Sequence, residues 1–195
     1  MSKSKNEDIA WKHFRRGAIF YERKMLDVGI AEFKKAITLN PKFVLAHESL
    51  GAAYLGKAMF EESIQHSLKA IELAPKNSNA YTNLGNAYVA VSKFDQAIVA
   101  CKNAIKIKPG ETASYNNLGN AHLGKGELTQ AISVYNKALK IKRGDSLSLN
   151  NLGVALFFNQ QYDESLKALG KAIKSGYPVS EELLNDVEKG LQESK

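Results

Sequence analysis

Small and apolar residues recur along this chain with a step of 34 residues. Gly17, Gly51, Gly85, Gly119 and Gly153 keep the step, and so do Ala36, Ala70, Ala104, Ala138 and Ala172. A fixed period of roughly 20–50 residues marks a repeat array. In register, the copies begin at Ala10, Val44, Ser78, Thr112 and Ser146. Repeat positions 4, 7, 8 and 11 share one helix face, and positions 20, 24, 27 and 28 share a face of a second helix. The break between them holds glycine or polar residues such as Lys93, Gly126 and Gln160. Pro41, Pro75 and Pro109 stop the second helix, because proline lacks an N–H and crowds the preceding turn. Each copy therefore predicts a helix-turn-helix, and the chain predicts an all-α fold.

Glycine inside a helix costs about 1 kcal/mol relative to alanine. Five of them approach the whole stability of a small domain, roughly 5 kcal/mol. Close helix approach must offset that cost, and positions 8, 20 and 27 are all small. A 34-residue unit is also too short to bury a core alone, so stability must come from stacked neighbours. Residues 180–195 predict one further helix. Ser180 is its N-cap, and Leu183, Leu184, Val187 and Leu191 form its apolar stripe. It is expected to cover the last repeat. The organisation expected is a polar tail over 1–9, repeats over 10–43, 44–77, 78–111, 112–145 and 146–179, and a capping helix over 180–195.

These positions resemble the tetratricopeptide repeat (TPR) family. The position-8 glycine, the small residue at 20, the alanine at 27 and the proline at 32 are its motif. NAYTNLGNAYVAVSKFDQAIVACKNAIKIKP and SYNNLGNAHLGKGELTQAISVYNKAL carry it best. The first copy departs from it, with Arg16 in place of leucine and Gly29 in place of alanine; the fifth lacks the position-32 proline. The resemblance implies a right-handed α-solenoid that binds proteins in a concave groove.

Charge and candidate chemistry narrow the function. The net charge is +7, with the first repeat the most basic, which favours acidic partners weakly. No cluster resembles a nucleic-acid arm, so none is expected to bind. No apolar run is long enough to span a membrane. The opening MSKSKNEDIA lacks the apolar stretch of a secretory signal, and the single Cys101 allows no internal disulfide; a cytoplasmic location is expected. Gly119–Gly126 (GNAHLGKG) and Gly51–Ala58 (GAAYLGKA) nearly match a phosphate-binding loop. Both fall on repeat helices, and neither has the Ser/Thr that holds magnesium. His13 and His47 share position 4 with Tyr81, Tyr115 and Leu149, so a packing role is expected rather than a metal site. No nucleophile, base and orienter converge. The reading is a non-enzymatic protein without metal or cofactor.

In the TPR family, positions 2, 5, 6, 9, 12 and 13 line the groove. Here they include Asn79, Asn83, Asn86, Asn116, Asn117, Asn120, Asn150 and Asn151. Asparagine is a poor helix former, so eight in helix segments invite two readings: solvent exposure repeated by duplication, or an amide ladder for an extended chain. An amide offers donor and acceptor together and pairs with any backbone. Val89, Leu123 and Phe157 lie beside the row as an apolar strip. Similar rows occur in TPR proteins that hold extended peptides. The pattern that clamps chaperone C-termini is not met: Thr82, Asn86, Asn117, Leu147 and Asn151 stand at its five positions, and every cation is missing. The expected partner is a protein or peptide segment. The alternative is a self-assembling scaffold, for example on a membrane or organelle surface, a homo-oligomer joined through Trp11 and Phe14, which equally could pack within the first repeat.

Overall fold

The computed structural model describes residues 5–194. Eleven helices and no strand occur among them: α1 (Lys5–Glu22), α2 (Leu26–Leu39), α3 (Val44–Gly56), α4 (Phe60–Leu73), α5 (Ser78–Ala90), α6 (Phe94–Ile107), α7 (Thr112–Gly124), α8 (Leu128–Ile141), α9 (Ser146–Phe158), α10 (Tyr162–Lys174) and α11 (Glu181–Glu193). The odd helices to α9 are first helices of the repeats (A) and the even ones are second helices (B). α3, α5, α7 and α9 start on the residues at which the 34-step places the copies. α1 starts at Lys5, so residues 5–9 of the expected tail are helical; residues 1–4 lie outside the described residues.

The chain divides into two compact units, 1–91 and 92–195, within the third repeat. In unit one each helix packs on its sequence neighbour, α1 to α5, and α3 also meets α5. Unit two repeats the scheme from α6 to α11, with α7 against α9.

Position 8 sets the A–B approach. A Cβ built on Gly17 would stand 2.6 Å from the Phe33 ring; on Gly51, 2.7 Å from Ser67 Oγ; on Gly153, 2.5 Å from Leu169 Cδ2. In each of these the facing residue is at position 24. Position 27 closes the same seam: Ala36, Ala70, Ala104, Ala138 and Ala172 are fully buried. At position 20, Ser63 and Ser165 donate 2.8 Å hydrogen bonds to the carbonyls of Gly51 and Gly153.

The A–B turn has one fixed requirement. Lys24, Ala58, Ser92, Gly126 and Gln160, all at position 15, have φ between 56° and 75°. Only the fourth copy uses glycine there, and a side chain in this region costs roughly 1–2 kcal/mol. Gln160→Gly is therefore expected to raise stability by about 0.5–1 kcal/mol after the entropy glycine adds to the unfolded chain. Gly126→Ala is expected to lower it similarly. Urea midpoints of the two variants against wild type check both signs.

α11 packs on α10. The Ser180 side chain accepts from Leu183 N at 3.2 Å, Val187 is fully buried, and Gly190 lets the Tyr162 ring approach. Gly56 against Leu26 and Gly124 against Phe94 make the same kind of contact between one repeat's A helix and the preceding B helix. α11 thus takes the place of a sixth A helix.

Candidate functional site

The asparagines divide into two groups, because α5 belongs to unit one and α7 and α9 to unit two. In unit one, Glu48 of α3 gathers its neighbours. It accepts from Asn77 Nδ2 at 2.7 Å and Asn79 Nδ2 at 2.9 Å, and its carbonyl accepts from Asn83 Nδ2 at 3.4 Å. Asn77 also caps α5 through Ala80 N. Asn79 and Asn83 therefore fasten α5 to α3, while Asn86 is exposed and Val89 is half-buried.

Unit two shows the same device with other residues. Asn116 is only 2 % exposed. It accepts from Ser148 Oγ at 3.0 Å and donates to Asp145 Oδ2 at 3.4 Å. Asp145 in turn caps α9 through Ser148 N. Asn116, expected on the groove face, is thus a buried tie between α7 and α9. Burial opposes the Asp145 charge, but bonds from Ser148, Lys142 and Asn116 outweigh it and hold the carboxyl below its usual range. Asn116→Ala removes one acceptor from the Ser148 hydroxyl, which keeps Asp145 Oδ2 at 2.7 Å, and one donor from Asp145, and is expected to cost unit two about 1 kcal/mol. Chemical denaturation measures this.

The remaining amides of unit two are half-buried. Asn120 Oδ1 accepts from Tyr135 OH at 2.7 Å and from Asn151 Nδ2 at 3.3 Å. Asn150 Nδ2 reaches Asn151 Oδ1 at 3.4 Å. Asn117 lies on α7, one turn before Asn120. At the C-terminal ends of the same helices, Leu123, Gly126, Leu128 and Phe158 line a cleft of about 280 Å³. Phe158 is 57 % exposed and its ring lies 5.4 Å from that of Phe157. Phe158 stands at repeat position 13, one of the groove positions; its degree of exposure comes from packing.

Trp11 and Phe14 have partners inside unit one. Trp11 meets Phe14 edge-on and Phe43 at a tilt, and Phe14 packs tilted against Phe33 and Phe43, with centroids 4.7–5.7 Å apart.

The position-4 histidines also find partners, always at position 23 of the same copy. His13 Nδ1 is 2.8 Å from Glu32 Oε2, and His47 Nδ1 is 3.0 Å from His66 Nδ1. Copies three to five pair Tyr81, Tyr115 and Leu149 with Ala100, Val134 and Ala168 at those positions. The switch from apolar to polar at both positions together was the available signal. Bonds from Lys35 and His13 hold the Glu32 carboxyl below its usual range. Burial pushes His66 down to about 4 and lowers His47 too. Both rings are then neutral in the fold. Their stabilisation is complete above the ordinary histidine pKa near 6.5 and is lost as pH falls from there toward 4. Unit one is expected to lose stability between pH 7 and 4.5, and His66→Leu to flatten that profile; urea melts at stepped pH read it. No group of three or more His, Cys, Asp or Glu among the described residues could hold a metal ion. No helix of the described residues is long and apolar enough to cross a membrane.

Tetratricopeptide repeat family profiles match residues 46–77, 78–111, 112–145 and 147–175. The chain is a tetratricopeptide repeat protein. The first copy, which departs most from the motif, lies outside those matches. Among curated proteins none matches the sequence. Solved TPR structures do. MamA is 26 % identical with a TM-score of 0.70, over 82 % of this chain and 94 % of that one. YrrB, described as a TPR protein with an unusual peptide-binding site, is 20 % identical with a TM-score of 0.71, over 95 % and 94 %. PilF of Pseudomonas aeruginosa is 15 % identical with a TM-score of 0.81, over 97 % and 87 %. The fold class of this TPR protein is therefore the helical-repeat class of those structures.

Proposed function

We propose that this TPR protein is a non-enzymatic adaptor that holds an extended or helical partner segment on the A-helix face of unit two. The observation that carries this is the exposed Phe158 beside Phe157, bordering an open cleft on the helices that also present Asn117, Asn120, Asn150 and Asn151. Asn120 and Asn151 spend part of their capacity on each other, but each amide has two donors and an acceptor. The Nδ2 of Asn120 is left to donate to a backbone carbonyl. The cleft gives an apolar anchor and the amides read a backbone, a division of labour that suits peptide recognition. The unusual peptide-binding site described for YrrB supports the class of ligand. In unit one, Asn86 and Val89 on α5 offer a second, smaller set. Trp11 and Phe14 are half-buried against the unit-one core, which spends part of the surface that self-association would use and favours the adaptor.

The test pans a displayed library of random peptides against the protein and titrates the selected peptides. Wild type is compared with Asn117→Ala/Phe158→Ser. Affinity is expected to fall at least ~10-fold, since aromatic anchors dominate interface energy. Unchanged affinity in a folded double variant rejects the site.

A further inference from the structure

Unit two has a second open face, formed by its B helices and distinct from the A-helix face of the proposed adaptor site. Two clefts lie side by side there. One, of about 450 Å³, runs between α8 and α10 with Leu149, Leu152 and Leu156 of α9 as its floor. The other, of about 570 Å³, is lined by Leu118 of α7, Val134 of α8 and the stem of Lys102 on α6. These floors use repeat positions 4, 7 and 11, whereas the adaptor site uses positions 6, 9, 12 and 13, so the two surfaces lie on different sides of the A helices.

The rims are basic. Lys102 and Lys137 border one cleft, and Lys167 and Lys171 the other, with Glu164 as the one acid among the lining residues of both. Among the described residues none of these four lysines forms an ion pair, whereas Lys108, Lys125 and Lys142 of the same unit do. The imbalance is specific to this unit. α6, α8 and α10 carry seven lysines against three acids, and one of those acids, Asp95, is already held by Lys125. α2 and α4 of unit one carry three lysines against five acids, with Lys35 and Lys69 paired. A solvated face needs no such sorting, and uncompensated cations around apolar floors call for a ligand with both characters.

We propose that the B-helix face of unit two docks an acidic amphipathic helix of a partner protein. Its apolar residues at i, i+4 and i+7 seat in the α8–α10 cleft, and its carboxylates meet Lys167 and Lys171 at that rim and, across α8, Lys137 at the rim of the adjoining cleft. Charge complementarity selects the partner: the unpaired rim lysines repel a basic helix, and the apolar floor gains nothing from a purely polar polyanion.

The probe is a fluorescein-labelled 18-residue helical peptide with leucine at i, i+4 and i+7 and glutamate elsewhere. Controls are the same peptide with every leucine changed to alanine, an 18-nucleotide single-stranded RNA, and vesicles containing phosphatidylserine. Anisotropy is read on wild type and on Lys137→Glu/Lys171→Glu, two exposed positions that leave the core untouched. The Glu/Leu peptide is expected to bind wild type, to shift amide resonances of α8 and α10 in a nitrogen-15 spectrum, and to bind the double variant at least ~10-fold more weakly. Phe158→Ser is expected to leave this binding unchanged, which separates the proposal from the adaptor site. Absence of binding up to millimolar peptide overturns it, and so do shifts confined to α7 and α9. Equal binding of the leucine-free peptide, or tighter binding of RNA or vesicles, also overturns it, because the face would then be a general anion surface.

Discussion

Gly119→Ala is expected to destabilise unit two by about 2–3 kcal/mol, at the upper part of the range for overpacked cores. The added Cβ would lie 2.6 Å from Tyr135 Cζ and 2.7 Å from Cδ1, inside any tolerable separation. Tyr135 cannot step aside: it is fully buried and its hydroxyl is held by Asn120 at 2.7 Å. The gain in helix propensity, about 1 kcal/mol, is smaller than this clash and is already netted from the figure. The same substitution at Gly51 has the opposite expectation. There the nearest atom is Ser67 Oγ at 2.7 Å, a single light atom that rotates away, with the next neighbours at 3.6 Å. Gly51→Ala should be neutral or stabilising by up to about 1 kcal/mol. Urea denaturation followed by circular dichroism of both variants tests this. If both lose the same stability, position 24 does not decide what position 8 tolerates.

Phe33→Ala is expected to cost unit one about 3–5 kcal/mol, the range for deleting a buried aromatic ring. Phe33 is 1 % exposed and packs with Ile30, Leu50, Ala53 and Tyr54, with Phe14 against its ring. Residue 17 is glycine chiefly because that ring fills the space a Cβ needs, with the Gly29 carbonyl 3.1 Å away as the next neighbour. A double-mutant cycle makes the dependence measurable. Gly17→Ala alone is expected to be destabilising, yet in the Phe33→Ala background it should be tolerated or favourable, with a coupling energy of roughly 1–3 kcal/mol. A coupling near zero would show that the glycine answers to something other than the facing ring.

The seam between helices was legible because small residues recur at a fixed step, and the step carried the starts of α3, α5, α7 and α9 with it. α1 was not fully legible: Lys5 to Ile9 are polar or isolated and show no apolar period, so nothing in them announces a helix. The asparagines were legible as residues off the packing positions, but not as donors to particular partners. Asn116 looks like Asn117 in one dimension. Its burial depends on Ser148 and Asp145, which stand 32 and 29 residues away. The His47–His66 pair was hidden because the histidine at position 4 was weighed against other copies rather than against position 23 of its own. Glu48 was hidden for a similar reason, since two of its three asparagine partners, Asn79 and Asn83, belong to the next copy.

The central claim is that the A-helix face of unit two is the surface that holds a partner segment. The most direct measurement is hydrogen exchange on the protein alone and in complex with a peptide selected by library panning. Slowed exchange confined to α7, α9 and the Gly124–Leu128 turn is the predicted result. Protection confined to unit one, or no change on α7 and α9 at saturating peptide, would contradict it.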